Sequence, residues 1–352
     1  MVIMWQKPLK LIKYLLFLIT TFTYPCEQIT PYKYTNQERE LGLPAYNIPP
    51  SSRFAIKRSK TVSDIVYYLT TPARSSFPIA IVCGGSSSKN DITSIIHFHR
   101  YLLQEFLDCG AAVLTIEQQG VDGKTIVADT FIEHYTRSER LSDHQEVIDY
   151  LNSKPPQGWN GKLLFLGVSE GGPLVTTLTT TYADITIATI NWVGAPGWSW
   201  RDELWAFTIN LEKNIPWYLK LRTKLPKWMP FFIDFYLPYS REEFDAIMDA
   251  AIDNPTIKKD FLGMTYKYHA DALKEYPEPE YAKIKTPFLA VAGEQDTIIQ
   301  SCDVFVEKAK NAGAPITYLR VPKMDHYIKE RPDIIIQSFE WLKQYILKMP
   351  VE

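Results

Sequence analysis

The chain has 352 residues, of which 46% are hydrophobic, 22% charged and 13% aromatic, a composition that excludes a disordered chain or a coiled coil. Its 38 lysines and arginines nearly balance its 40 aspartates and glutamates, for a formal net charge of -2. No overall positive field therefore favours binding of nucleic acid, and we expect no nucleic-acid partner.

The N-terminal segment, residues 1–25, predicts a signal peptide. Three lysines within residues 7–13 precede a short apolar run at 14–19, which fades through threonines to Pro25. The run is well short of the roughly 20 apolar residues that a membrane span needs, so we expect a secreted or periplasmic protein with no stable transmembrane span. Because no small-residue cleavage site is clean, an uncleaved N-terminus that anchors the chain to the membrane, or a packed N-terminal helix, is the alternative.

Residues 51–197 alternate between strands and helices. After a polar, proline-dotted extension at 26–50, two short segments predict an antiparallel strand pair. The predicted strands lie at 53–57, 64–69, 77–83, 111–117, 163–168 and 185–193, and the predicted helices at 92–107, 137–151 and from the end of the fifth strand through 181. Continuous apolar strands that alternate with amphipathic helices are typical of a mostly parallel, doubly wound sheet covered on both faces. The fold class is therefore α/β.

The alternation stops between residues 198 and 284. This segment is rich in Trp, Tyr, Phe and Pro, with helical patches such as 241–251 and no clear strand. The alternation resumes over 285–352, with strands at 287–292 and 316–321 and helices at 302–312 and 333–347. We therefore expect a core in two parts, 51–197 and 285–352, with a largely helical cap inserted between them.

Four cysteines are too few to form a disulfide framework in a chain of this length. Cys83 ends one predicted strand and Cys109 begins its neighbour, which places them roughly 17 Å apart along the sheet, beyond disulfide reach. We expect both to be buried thiols, and Cys302 has no evident partner.

Residues 167–172 read Gly-Val-Ser-Glu-Gly-Gly, directly after a predicted strand and before a predicted helix. A serine on such a tight strand-to-helix turn adopts strained backbone angles, and glycines two residues before and after it let neighbouring chains approach closely. The start of the following helix favours developing negative charge. The pattern predicts that Ser169 is a nucleophile, whereas the alternative is an ordinary glycine-rich turn.

A serine hydroxyl needs a base to accept its proton, and histidine is the usual one. With this turn the base follows the acid in chain order. His326 is the only histidine after residue 269, and it lies between a predicted strand and the last predicted helix. We therefore expect His326 to be the general base.

The acid that orients the base should follow an earlier strand at the same edge of the sheet. The strand at 287–292 is followed by Gly293 and two carboxylates, Glu294 and Asp296. Asp296 is the expected acid and Glu294 the alternative. Asp325, next to the histidine, is expected to cap its own loop.

Attack on a carbonyl creates an oxyanion that needs two amide donors. The backbone N–H of Glu170, directly after the serine, is one candidate. The second should come from the loop after the strand at 77–83, where Gly85 or Ser86 is the expected donor. The alternative, a phosphate-binding loop, lacks both the Walker lysine and the three-glycine Rossmann spacing.

Together Gly84–Gly85, the 167–172 motif, 293–296 and Asp325–His326 resemble the α/β-hydrolase superfamily, over about residues 53 to 347 apart from the cap. The doubled glycine after the serine is similar to the branch with prolyl-oligopeptidase-like, dienelactone-hydrolase-like and acyl-thioesterase members. In one departure, Cys83 stands where many relatives have histidine before the oxyanion glycines. The resemblance implies hydrolysis of an ester, thioester or amide.

The expected activity is that of a serine hydrolase that cleaves a carboxylic ester or thioester of a small acyl substrate through an acyl-enzyme on Ser169. The sequence shows no zinc-ligand cluster, so no metal or organic cofactor is expected. One alternative is a serine peptidase or amidase of the same fold, although only about 30 residues lie between the predicted signal peptide and the first strand, too few for the propeller that often accompanies such peptidases. The other is a non-catalytic protein that binds lipid or a partner on a hydrolase scaffold.

The cap is unusually aromatic, which suggests either a pocket for an apolar acyl chain or packing against the core. A basic stretch within it could contact a membrane surface, although a solvated basic face is the simpler interpretation. The aromatic residues are Trp198, Trp200, Trp205, Trp217, Trp228, Phe231, Phe232, Phe235 and Tyr236, and the basic ones are Lys220, Arg222, Lys224 and Lys227.

Overall fold

The computed structural model describes residues 52–59, 63–123, 125–214, 240–274 and 279–347. The predicted signal peptide and the N-terminal extension lie outside these residues. So does the part of the cap at 215–239, which holds all four basic residues of the predicted surface and six of its nine aromatic residues.

The described part of the chain contains one eight-stranded sheet. Its strands, numbered here in chain order, are β1 (Ser52–Lys57), β2 (Asp64–Thr70), β3 (Phe77–Cys83), β4 (Ala112–Ile116), β5 (Trp159–Val168), β6 (Thr186–Trp192), β7 (Phe288–Gly293) and β8 (Ile316–Val321). Their order in the sheet is β1-β2-β4-β3-β5-β6-β7-β8. β2 runs antiparallel to β1 and β4, and the remaining neighbours are parallel. The predicted α/β class, with an antiparallel entry to a mostly parallel sheet, is confirmed.

The described helices are α1 (Ile96–Asp108), α2 (Ala128–His134), α3 (Arg137–Ser153), α4 (Gly171–Thr181), α5 (Trp200–Asn214), α6 (Arg241–Asp253), α7 (Tyr266–Lys274), α8 (Ile299–Asn311) and α9 (Pro332–Ile346). No helix among these residues is both long enough and apolar enough to cross a bilayer.

The two faces of the sheet pack against different helices, because successive side chains of a strand point to opposite sides. Val82 and Leu164 belong to the core cluster that contains α1 and α9. Ile81 and Phe165, each one residue away along the same strands, belong to the cluster that contains α3 and α4. α8 covers β7 in a third cluster. This burial on both sides explains why the central strands are continuously apolar.

Two helices differ from expectation. α1 begins at Ile96 rather than at residue 92. Directly before it, the Ser94 hydroxyl and the Ile95 amide donate to the carboxylate of Glu117, so the Ile95 amide bonds to a side chain rather than to a helical carbonyl. α2 was not predicted, since its short, polar sequence carries little apolar periodicity; Phe131 is its buried anchor.

Within the segment inserted between β6 and β7, α5, α6 and α7 pack around a small cluster of Leu204, Phe244, Met248 and Phe261. The expectation of no strand is wrong in one detail. Asp260–Phe261 pairs with Met264–Thr265 in a two-residue antiparallel ladder, because Leu262 and Gly263 adopt positive φ angles that turn the chain back on itself.

Cys83, Cys109 and Cys302 are buried free thiols, which confirms the expectation for the first two. Burial raises the pKa of Cys83 to about 12. This thiol, which precedes the loop after β3, is therefore neutral.

Candidate active site

Ser169 lies in the tight turn between β5 and α4, and its φ of 53° is in the left-handed region. A residue with a side chain occupies this region only when its surroundings hold it there. The Ser169 amide donates to the Trp192 carbonyl at 2.9 Å, and the Gly172 amide donates to the Ser169 carbonyl at 2.8 Å. The neighbouring strand and the first turn of α4 thus hold the serine in its strained conformation.

The glycines of the 167–172 motif are required by close chain contacts. A Cβ on Gly171 would lie 2.1 Å from the carbonyl oxygen of Cys83, and one on Gly167 would lie 2.5 Å from that of Gly171. No side chain fits at either position, so the motif lets β3, β5 and α4 meet at the serine.

The imidazole of His326 joins the other two predicted side chains. His326 lies in the loop after β8, with Nε2 2.8 Å from Ser169 Oγ and Nδ1 2.9 Å from Asp296 Oδ2. The side chain of Asp296 is fully buried, and its second oxygen accepts from the Ile298 amide at 3.1 Å. With a proton on Nδ1 shared with Asp296, Nε2 is left to accept the serine proton. A hydroxyl held in this way can attack a carbonyl carbon.

Glu294, two residues before Asp296, and Asp325, directly before His326, point elsewhere. Glu294 is exposed, and its carboxylate lies 3.9 Å from Arg320 Nε. Asp325 accepts from the Tyr327 amide at 2.8 Å and so caps its own loop. The structure therefore brings Asp296, and not Glu294, to His326.

The loop after β3 passes directly beside the serine. A Cβ on Gly85 would lie 3.4 Å from the Cβ of Ser169 and 3.8 Å from its Oγ. Ser86, the other candidate donor, is exposed. Glu170 precedes the first turn of α4, where the free amides of a helix start favour negative charge. Gly85 therefore lies beside Ser169.

The side chain of Glu170 forms a buried charged cluster that the sequence analysis missed. Its carboxylate accepts from Arg140 Nη1 at 2.6 Å, Arg137 Nε at 3.2 Å, Tyr135 OH at 2.7 Å and the hydroxyl of Tyr268. Burial alone would raise the pKa of Glu170, but the charges of the two arginines together with the hydrogen bonds from the two tyrosines outweigh it and hold that pKa below its usual value. The signal in the sequence was a pair of arginines three residues apart on a predicted helix.

A second buried carboxyl, Glu203 of α5, was also missed. It accepts from Ser301 Oγ at 2.6 Å, and that same oxygen accepts from the Gly197 and Trp198 amides at 3.0 Å each. Burial raises the pKa of Glu203 to about 7. The buried hydroxyl of Ser301 on α8 therefore connects α5 with residues 197–198, which come shortly before that helix.

The same side of α5 reaches the loops that hold Asp296 and His326. Phe207, one turn after Glu203, packs edge-on against the imidazole of His326, with ring centroids 5.8 Å apart. Asn210 donates from Nδ2 to Thr297 Oγ1 at 2.8 Å, next to Asp296. The first helix of the inserted segment thus forms one wall of the site.

Among the residues that the structure describes, no group of three or more His, Cys, Asp or Glu side chains is arranged to hold a metal ion.

Comparison of the sequence with protein-family models and with curated proteins found no match. Comparison of the structure with solved structures found many. Est1E from Butyrivibrio proteoclasticus aligns with a TM-score of 0.51 and 15% identity, over 84% of this chain and 99% of its own. A Pyrobaculum calidifontis esterase aligns with a TM-score of 0.54 and 14% identity, over 88% of each chain. The 2,6-dihydroxy-pseudo-oxynicotine hydrolase aligns with a TM-score of 0.53 and 17% identity, over 85% of this chain and 69% of its own.

These likenesses, the strand order of the sheet and the position of the strained serine after β5 lead to one conclusion about architecture. The chain has the α/β-hydrolase fold.

Proposed function

We propose that the protein is a serine hydrolase that cleaves a carboxylic ester or thioester through an acyl-enzyme on Ser169. The observation that carries the proposal is the chain of contacts from Ser169 Oγ to His326 Nε2 at 2.8 Å and from His326 Nδ1 to Asp296 Oδ2 at 2.9 Å. The likeness in fold to the Pyrobaculum calidifontis esterase supports the choice of an ester.

In the proposed reaction, Ser169 Oγ forms a bond to the substrate carbonyl carbon while its proton passes to His326 Nε2. Asp296 stabilises the imidazolium, and the amides of Glu170 and Gly85 hold the oxyanion. The bond between carbon and the leaving oxygen or sulfur then breaks as Nε2 returns the proton to that atom. A water molecule hydrolyses the acyl-enzyme by the same route, with His326 as base, and restores the free serine.

The test is hydrolysis of p-nitrophenyl esters, from acetate to hexanoate, together with labelling by a fluorophosphonate. Ser169→Ala and His326→Ala should each lower kcat by on the order of 10⁴ or more, and the double variant should be little worse than either single one, because the two side chains act as one unit. Ser153→Ala, which removes an exposed hydroxyl at the end of α3, is the matched control and should keep full activity and labelling. Wild-type turnover and labelling in Ser169→Ala would refute the proposal.

A further inference from the structure

The two proposed oxyanion donors come from different segments of the chain, and one side chain contacts both segments. Arg140 of α3 donates from Nη1 to the Glu170 carboxylate at 2.6 Å and from Nη2 to the Gly84 carbonyl at 2.8 Å. Its side chain is only 7% exposed. A single buried guanidinium therefore bridges the loop after β3 and the turn after β5.

We infer that Arg140 is a positioning residue that sets the directions of both oxyanion donors, the Gly85 and Glu170 amides. The inference rests on the proposed function, because these donors matter only if Ser169 attacks a carbonyl group.

The geometry of the Gly84–Gly85 peptide carries the first half of the inference. The carbonyl of Gly84 and the N–H of Gly85 belong to one planar unit, and in a trans peptide they point in opposite directions. The described residues include no cis peptide bond. By holding the Gly84 oxygen, Arg140 therefore fixes the plane of this peptide and turns the Gly85 N–H away from α3. A hydrogen bond to a charged donor also polarises the peptide, which strengthens the N–H on its other side.

The Glu170 side carries the second half. Arg140 holds the carboxylate of Glu170, and the backbone amide of this same residue directly follows Ser169. Anchoring the Glu170 side chain therefore fixes the position of its amide just before α4. Tyr135 reinforces the arrangement. Its hydroxyl donates to Glu170 at 2.7 Å and accepts from the Ser87 amide at 2.9 Å, which holds the same loop two residues beyond Gly85.

The charge balance of the cluster adds an electrostatic effect to this positioning role. Arg137 and Arg140 face one carboxylate, Glu170, so the three buried side chains sum to one positive charge behind the donors. The charge of Glu170 outweighs burial and raises the pKa of Arg140, so its guanidinium stays protonated. A fixed positive charge in a buried site stabilises negative charge that develops on the substrate oxygen.

The experiment compares Arg140→Gln and Arg140→Lys with a matched buried arginine. Arg58 is that control, since its guanidinium is 3% exposed and binds Asp143 of the same helix through two hydrogen bonds, at 2.7 and 2.8 Å. Arg58→Gln therefore breaks a comparable buried ion pair without touching the loop after β3. The rates are referred to the fraction of folded protein, measured by circular dichroism.

Arg140→Gln should lower kcat for a p-nitrophenyl ester by roughly 10- to 100-fold, with KM changed by less than about threefold, because the donors act on the transition state. The affinity for a trifluoromethyl ketone, which forms an oxyanion on Ser169, should fall by a similar factor. Arg140→Lys should lie between the wild type and Arg140→Gln, because an ammonium group lacks the planar fork that reaches both partners. Arg58→Gln should stay within about twofold of the wild type in kcat and in ketone affinity.

Equal kcat and equal ketone affinity in Arg140→Gln and Arg58→Gln would overturn the inference, as would a rise in KM with unchanged kcat. If Arg140→Gln does not fold, Tyr135→Phe, which removes the acceptor of the Ser87 amide, must show the same loss in kcat and in ketone affinity. The Arg140 series is interpreted under one first condition, that Ser169→Ala abolishes the activity of the wild type. Failure of that first condition refutes the proposed function, whereas failure of the Arg140 series alone refutes the positioning role.

Discussion

Glu203 predicts a pH-dependent stability that a single substitution should remove. Its pKa is raised to about 7 in the folded chain, mainly by burial, from an ordinary value of 4.5. Below about pH 4.5 the carboxyl is protonated in both the folded and the unfolded chain, and burial carries no penalty. Between pH 4.5 and 7 the unfolded chain releases the proton while the folded chain keeps it, so the free energy of unfolding falls as the pH rises. Above about pH 7 the loss is complete.

The size of the effect follows from the two pKa values. Each tenfold change in proton affinity is worth about 1.4 kcal/mol, so a rise from 4.5 to about 7 corresponds to a loss of about 3 kcal/mol of stability in alkaline solution. Glu203→Gln keeps an oxygen that can accept the hydroxyl of Ser301, and it has no charge to bury. The variant should therefore match the wild type near pH 4 and exceed its free energy of unfolding by up to about 3 kcal/mol at pH 8.

Urea unfolding followed by tryptophan fluorescence, at intervals from pH 4 to pH 8.5, measures this difference directly. Glu307→Gln on α8 is the control, because that carboxylate is exposed and its removal should leave the pH profile of the wild type unchanged. A difference between Glu203→Gln and the wild type that stays constant across the pH range would refute the reasoning, since the carboxyl would then not be titrating with folding.

Two further predictions concern the site. Asp296→Asn should lower kcat by roughly 10³- to 10⁴-fold, because an amide holds the imidazole in the wrong tautomer. Glu294→Gln should change kcat by less than about twofold. Ester hydrolysis measures both variants, and the opposite ranking would assign the acid to Glu294. Gly171→Ala would place a Cβ 2.1 Å from the Cys83 carbonyl oxygen, so it should cost about 1–3 kcal/mol of stability or more and reduce activity as the turn that holds Ser169 shifts. Thermal unfolding measures the stability loss in Gly171→Ala, and a melting temperature of this variant equal to that of the wild type would contradict the close packing.

The sheet could be predicted because its strands are apolar on both faces and are separated by helices of regular length. Ser169 and His326 could be singled out from local glycines and from chain order, respectively. The ranking of Asp296 above Glu294 came from chain pattern, and the structure adds the reason that their side chains leave the loop in different directions.

The buried charges could not be predicted from sequence because their partners are distant in the chain. α3 buries Arg137, Arg140 and Asp143, polar residues that a one-dimensional pattern assigns to solvent. Glu203 likewise lies in the first turn of α5, where an acidic residue is ordinarily exposed and favoured by the helix dipole. Only the packing of segments that are distant in the chain reveals that these groups are buried. The signal peptide at 1–25 stays a prediction.

The contacts of α7 and α5 with the Glu170 cluster limit how the inserted segment can be exchanged or moved. Tyr268 of α7 donates to Glu170, and the ring of Trp200 at the start of α5 lies 4.2 Å from the guanidinium of Arg137. Lifting these helices away would strip both residues from a buried ion cluster directly behind the serine. Any replacement of the segment must therefore supply equivalents of Tyr268 and Trp200. Without them, Glu170 and Arg137, buried next to Ser169, would each lose a contact.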